Sequence, residues 1–78
     1  MKEQEKMDFG QALRIMCRGF RVARENWNGK GMFLTIQMPD EHSKMTRPYI
    51  YITTVKGDRV PWVASQDDLL EWDWVQVP

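Results

Sequence analysis

The 78-residue chain has one cysteine, Cys17, and one histidine, His42. A single cysteine excludes an intrachain disulfide, and the pair falls short of the four ligands of a structural zinc site. We therefore expect no metal and no cofactor. The sequence also shows no catalytic motif of a known type: no catalytic Cys–His pair, no Ser-His-Asp set, no HExxH motif and no glycine-rich phosphate loop. These absences favour a binding protein over an enzyme.

Neither sign of charge dominates, because 11 basic residues balance 11 acidic ones. DNA- and RNA-binding domains usually carry a clustered basic excess, so general nucleic-acid binding is not expected. No apolar run approaches the roughly 18 residues of a membrane span. The segment 1–6 is charged and lacks the apolar core of a signal peptide, which predicts a cytoplasmic protein.

A chain of this size buries a modest core, which supplies only about 3–5 kcal/mol of net stability. Small domains usually add disulfides, a metal or a partner subunit. With the first two excluded, oligomerisation remains, and we expect a homo-oligomer.

The pattern along the chain predicts an α+β fold. Asp8 and Gln11 have the spacing of a capping box, and an apolar residue recurs at helical spacing from Phe9 to Met16. We predict one N-terminal helix packed on a roughly five-stranded antiparallel sheet, with a short helical turn near residue 66. Residues 1–7 are predicted as a flexible lead-in and 8–78 as a single ligand-binding domain. The predicted elements are a helix over 9–18, strands over 20–24, 32–38, 49–55 and 59–63, a helical turn over 65–70 and a strand over 72–77.

Composition and alternation give expectations for two further segments. Residues 39–48 form a polar loop that we expect to be mobile, with His42 exposed to solvent. Alternation over 32–38 places Phe33 as an aromatic residue on the otherwise polar strand face, a position that suits a subunit interface or a ligand. Cys17 flanks the apolar helix face and is expected to pack there.

Four tryptophans are a high number for 78 residues, and Trp27 and Trp62 stand beside polar or turn-forming residues. A flat ring at such a position suits stacking on a planar ligand, although a small domain can also use tryptophan to fill its core. Both interpretations remain open. Donors and acceptors for ribose hydroxyls and base edges follow nearby, at Asn28, Ser65, Gln66 and Asp67. The candidate phosphate partners are Arg24, Lys30, Arg47, Arg59 and the backbone amides that open the turn at Ser65.

Two motifs resemble those of a known family. The first runs from Asp8-Phe9-Gly10-Gln11-Ala12-Leu13 through Val22-Ala23-Arg24 to Trp27-Asn28-Gly29-Lys30-Gly31-Met32-Phe33. The second is Val60-Pro61-Trp62-Val63-Ala64-Ser65-Gln66-Asp67-Asp68-Leu69-Leu70, followed by Asp73-Trp74. Together they cover about half of the chain and resemble the second type of Thoeris anti-defence protein, a family of small phage and prophage proteins.

The resemblance implies a molecular sponge. Thoeris defends bacteria with a TIR-domain enzyme that makes a glycocyclic ADP-ribose signal, and family members bind this signal intact so that its effector stays off. It implies homotetramers with pockets between protomers, in the host bacterial cytoplasm if the protein is phage-encoded. Many members have a longer insertion between Met38 and Tyr49, and its effect on ligand preference stays open. Transferred by motif, the pocket candidates are Trp27, Asn28, Phe33, Trp62, Ser65, Gln66 and Asp67.

A second interpretation is a protein-interaction module that blocks a host protein through an exposed aromatic face. A hydrolase of the signal is disfavoured, because adjacent Asp67 and Asp68 point about 100° apart on a helical turn. The sequence does not specify which cyclic ADP-ribose isomer would bind.

Overall fold

The first helix begins where the sequence supplies its cap. In the computed structural model, which describes residues 6–27 and 31–78, α1 spans Phe9–Cys17. The Asp8 carboxylate accepts from the Gln11 amide at 2.8 Å, and the Gln11 side chain accepts from the Asp8 amide at 3.1 Å. This is the predicted capping box. The helix ends before Gly19, whose φ of 96° is readily available only to glycine.

The apolar side of α1 supplies two of the buried core residues, Ala12 and Met16. Cys17 is exposed, so the expectation that it packs against the core was wrong. Among the described residues, neither helix has the length and apolar composition that a membrane-crossing helix needs.

The five predicted strands are present, and every pairing is antiparallel. Each strand is shorter than predicted. The sheet order is β4-β3-β2-β1-β5, so the last strand returns to pair with the first. Pro61 lies in the three-residue edge strand, as expected of a residue without an amide donor. The bounds are β1 Arg21–Arg24, β2 Phe33–Gln37, β3 Tyr49–Thr53, β4 Arg59–Pro61 and β5 Trp74–Val77.

One face of the sheet packs against α1, which confirms the predicted α+β arrangement. Val22 lies opposite Leu34, and Leu34 lies opposite Ile52, so these side chains share the helix-covered face. Trp74 of β5 is fully buried on the same face. The central core consists of Ala12, Met16, Val22, Leu34 and Trp74.

The opposite face has a different chemistry, as the alternation around Phe33 predicted. The Phe33 ring lies 4.9 Å from the Arg21 guanidinium carbon, and the rings of Tyr49 and Tyr51 lie 6.4 Å apart. Both described helices lie on the other side, since α2 (Gln66–Leu70) is adjacent to α1 and contacts Trp74. Within the described residues, this second face therefore has no helix over it.

Two segments outside the predicted helices and strands make hydrogen bonds. Met7, which the sequence placed in the flexible lead-in, exchanges two backbone hydrogen bonds with Trp74 at 2.7 and 3.1 Å. In the loop 39–48, predicted to be mobile, the Asp40 carboxylate accepts from the His42 amide and the Ser43 hydroxyl. The His42 side chain is 87% exposed.

Candidate ligand-binding site

Trp27 lies just beyond β1 and packs against the core. Its ring meets Trp74 nearly at right angles, with centroids 5.5 Å apart, and its amide donates to the Arg24 carbonyl at 3.4 Å. The indole Nε1 donates to Oδ1 of Asp68 at 3.4 Å, a long hydrogen bond. The side chain is half-buried. It therefore combines packing against the core with a partly accessible surface.

Trp62 reaches the same cluster from the connection between β4 and α2. Its ring lies edge-on to Trp74 at 6.0 Å and tilted against Phe9 at 5.8 Å, while Phe9 itself contacts Trp74 at 5.2 Å. Such edge-to-face pairs add about 0.5–1.5 kcal/mol each beyond the area that they bury. Trp62 is also half-buried. Both tryptophans thus contribute to the core, and neither is enclosed by it.

Asp68 connects this aromatic cluster with the start of α2. Ser65 caps the helix by accepting from the Asp68 amide at 3.1 Å, and Oδ2 of Asp68 accepts from the Ser65 amide at 2.9 Å. The same residue's backbone carbonyl accepts from Trp74 Nε1 at 2.8 Å. The Ser65 amide therefore already has a carboxylate partner, and the phosphate role expected of the amides that open this turn stays a prediction.

Arg24 is shared between two carboxylates. Its Nη1 lies 3.0 Å from Oδ1 of Asp68, and its Nε lies 2.8 Å from Oδ1 of Asp73. All three side chains are largely buried, with exposed fractions of 9% for Arg24, 12% for Asp68 and 15% for Asp73. Asp73 also accepts from the Asn26 amide at 3.0 Å. We refer to Arg24, Asp68 and Asp73 as the buried charge cluster.

The charges of this cluster hold one another in the ionised state. Burial alone would raise the pKa of Asp68, but hydrogen bonds from the Ser65 amide and from Arg24 lower the pKa below its ordinary value. Burial likewise opposes ionisation of Asp73, and Arg24 outweighs it, so that pKa is also lowered. The hydrogen bond to Asp73 raises the pKa of Arg24. One positive and two negative groups leave a local net charge of about −1.

The remaining candidates fall into two groups. Ser65, Gln66 and Asp67 lie together, exposed, at the start of α2 beside the buried charge cluster. Phe33 lies on the opposite sheet face, although only five residues lie between it and Trp27 in the sequence. Asn28 and Lys30 lie outside the described residues. The phosphate role expected of Arg24 stays a prediction, and its observed partners are carboxylates.

Shallow concavities occur on the sheet face that carries Phe33. One of about 400 Å³ is lined by Arg21, Met32, Phe33, Val75 and Val77, among others. A second, of about 230 Å³, lies at the other end of the sheet beside Tyr49, Tyr51 and Arg59. No three acidic, histidine or cysteine side chains of residues 6–27 and 31–78 come together as a metal site.

The sequence that carries the two tryptophan motifs is similar to those of known proteins. The sequence model of the Thoeris anti-defense 2-like domain matches residues 7–77, nearly the whole chain. The chain belongs to this family. It is similar to a protein called Thoeris anti-defense 2 from Bacillus phage SP01, with 35% identity over an alignment 82 positions long. That alignment covers 88% of this chain and 92% of the relative. The resemblance stated from the motifs is confirmed, and family membership supports an anti-Thoeris function.

Sequence reasoning missed Asp68 and Asp73 as organising residues of this family member. Asp68 was assigned no binding role from the sequence, yet as a whole residue it is only 8% exposed, and both its carboxylate oxygens accept hydrogen bonds. The signal was present, since Ser65 and Asp68 have the capping-box spacing that was recognised for Asp8 and Gln11. No local pattern marked Asp73, because its partner Arg24 lies 49 positions earlier.

We predict a loss of stability in acid that depends on this cluster. Both carboxylates bind protons more weakly in the folded chain than in the unfolded chain, where an aspartate has a pKa of about 3.9. Their contribution is complete above that value and is lost as the pH falls through the lower folded pKa. The free energy of unfolding, measured by urea denaturation between pH 2 and 7, should therefore decrease in acid.

The matched variants separate the cluster from other carboxylates. Asp68→Asn combined with Asp73→Asn should flatten this pH dependence, whereas Asp58→Asn, in an exposed turn, should preserve it. Asp68→Asn alone should cost about 1–3 kcal/mol at neutral pH, because a buried guanidinium loses a charged partner. An unchanged acid profile in the double variant would show that other groups control it.

Proposed function

We propose that the protein binds a cyclic ADP-ribose-type nucleotide, glycocyclic ADP-ribose being the expected signal, and sequesters it without degrading it. Thoeris immunity is thereby inhibited. The observation that carries the proposal is the position of Trp27. Its half-buried ring packs nearly perpendicular to Trp74 of the core, and a hydrogen bond to Asp68 holds it beside the exposed polar start of α2.

The aromatic part of the proposed site would bind the planar base. The rings of Trp27 and Trp62 lie nearly perpendicular to that of Trp74, and both side chains keep part of their surface accessible. Stacking of one base on an aromatic ring contributes roughly 1–3 kcal/mol. The rings are fixed before a ligand arrives, which lowers the entropy cost of binding.

The polar part would bind sugar hydroxyls and base edges. Ser65, Gln66 and Asp67 are exposed and offer a hydroxyl, an amide and a carboxylate. Asp68 connects this segment with Trp27 and Arg24, since it pairs with both and with the Ser65 amide. Stacking surface and hydrogen-bonding groups are thus held in one arrangement.

We further propose a homotetramer with the ligand bound between protomers. Phe33 and Arg21 lie on the sheet face opposite Trp27, so one chain cannot present all the motif residues to one ligand. Association of that face with a second protomer would bring the two sets together. It would also cover the aromatic residues Tyr49 and Tyr51.

Sequestration without chemistry agrees with the placement of the nucleophilic and basic side chains. His42 projects from the loop 39–48, and its nearest ionic partner is Glu41 at 3.7 Å. Among the described residues, the carboxylates of the buried charge cluster are held ionised by Arg24, which makes them poor general acids.

A protein-interaction module remains the alternative, and one observation favours it. Val63, Leu70 and Trp72 are 87%, 72% and 66% exposed, and they cluster in sequence around α2. Exposed apolar patches often mark association surfaces. A sponge retains a nucleotide, seen as excess absorbance at 260 nm, whereas an interaction module retains a host protein.

From the proposed function we first predict that the ligand is released intact. The protein is saturated with glycocyclic ADP-ribose, washed and denatured by heat, and the supernatant is analysed by mass spectrometry. Intact signal that activates the Thoeris effector is expected. Linear ADP-ribose that is absent from a heated ligand-only control would identify a hydrolase instead, with Asp67 and Asp68 as the first residues to test.

The second prediction concerns the stacking residues. Trp27→Ala and Trp62→Ala should each weaken binding by tens to hundreds of fold, corresponding to roughly 1–3 kcal/mol of stacking. Calorimetry against a panel of cyclic ADP-ribose isomers and cyclic dinucleotides measures this. Trp72→Ala removes an exposed tryptophan and is the matched control. If the two variants fold and bind normally, the rings lie outside the site. If the variants do not fold, the rings serve only as core residues.

The third prediction is the oligomeric state. Light scattering at micromolar concentration should give a mass four times that of the 9.3 kDa chain. Tyr51→Glu, which places a charge on the helix-free sheet face, should reduce that mass. A monomeric wild-type protein would exclude any pocket shared between subunits.

A further inference from the structure

Three chain segments meet at the Asp68 side chain, and its two oxygens serve different segments. Oδ2 accepts from the Ser65 amide and completes the cap of α2. Oδ1 accepts from Nη1 of Arg24 at 3.0 Å and from Nε1 of Trp27 at 3.4 Å. Capping therefore uses one oxygen, and the other faces the ring of the stacking residue.

We propose that Asp68 is a positioning residue of the ligand site: it sets the orientation of the Trp27 ring relative to the start of α2 and does not touch the ligand. The ligand part of this statement rests on the proposed function. As a whole residue Asp68 is only 8% exposed, and both its carboxylate oxygens already accept hydrogen bonds from the chain, so the side chain presents little surface to a bound molecule.

The geometry explains why Trp27 needs a second contact. Its nearly perpendicular packing against Trp74, with centroids 5.5 Å apart, fixes where the ring lies, but a single ring contact leaves the ring free to tilt. The hydrogen bond from Nε1 to Asp68 lies at a different point of the ring and removes that freedom. Two contacts at separate points define the plane that a base would stack on.

Arg24 and Asp73 support this arrangement from the other side. Asp73 holds Arg24 through Nε at 2.8 Å and Nη2 at 3.4 Å, and it accepts from the Asn26 amide immediately before Trp27. Arg24 in turn fixes Oδ1 of Asp68. The backbone and the ring of Trp27 are consequently held by two carboxylates that share one guanidinium.

The first test is a measurement on the wild-type protein, with one variant used only to assign the signal. In ¹⁵N-resolved NMR spectra, the indole N–H of Trp27, assigned with Trp27→Phe, should exchange with water at least tenfold more slowly than that of exposed Trp72. Equal exchange rates would overturn the proposal. This measurement requires no ligand, so it remains decisive even if no cyclic ADP-ribose isomer binds and the proposed function fails.

The second test is a double-mutant cycle on affinity, measured by calorimetry at a pH and temperature where every variant is folded. Asp68→Ala should weaken binding about tenfold, or ~1.4 kcal/mol, in the wild-type background. It should change affinity less than twofold in Trp27→Phe, whose ring has no N–H for Asp68 to orient. Equal losses in both backgrounds would show a general structural role and contradict the proposal.

Two further variants keep the cycle interpretable. If Asp68→Ala does not fold, Asp73→Asn takes its place, because it loosens Arg24 and the Asn26 amide while Asp68 keeps its cap. It should speed exchange of the Trp27 indole N–H and weaken binding, again only when residue 27 is tryptophan. Asp58→Asn makes the same change of charge in an exposed turn and should alter neither measurement.

Discussion

One guanidinium buried between two carboxylates joins parts of the chain that are far apart in sequence. Arg24 lies on β1, while Asp68 and Asp73 lie 44 and 49 positions later, on α2 and just before β5. Removing three charges from water is costly, so such a cluster contributes little net stability compared with apolar packing. Its consequence is geometric. Asp68 and Asp73 must both lie beside Arg24 of β1 if the buried charges are to be paired.

The aromatic cluster depends on that arrangement. Trp74 is fully buried, and the rings of Phe9, Trp27 and Trp62 pack against it while it donates its own N–H to the Asp68 carbonyl. An indole N–H in an apolar core needs such an acceptor. The carboxylate side chain of Asp68 belongs to the charge cluster and its carbonyl to the aromatic one, so the two clusters are fixed together.

Much of the fold could be predicted because its signals are local. The capping box at Asp8, the alternation around Phe33 and the edge position of Pro61 each depend on a few neighbouring residues. The site could be predicted only in part. Motif order grouped Phe33 with Trp27, but a strand of alternating faces lies after the turn, and the two residues end on opposite sides of the sheet. The partners of Arg24 are non-local, and a short helix gives no periodicity that would reveal which of Asp67 and Asp68 turns inward.

Charge constrains how a nucleotide of the proposed class could lie in this site. The buried cluster has a net charge of about −1, because one arginine faces two ionised aspartates. A diphosphate placed against it would meet repulsion, whereas a base amino group or ribose hydroxyl could donate towards exposed Asp67. The base and sugar would then lie at Trp27 and α2, with the phosphates directed away from Arg24. The cations that neutralise the phosphates would then come from another surface. Arg21 and Arg59 lie on the opposite sheet face. A second protomer offers that face, so the charge of the cluster and the separation of Phe33 from Trp27 independently favour a shared pocket.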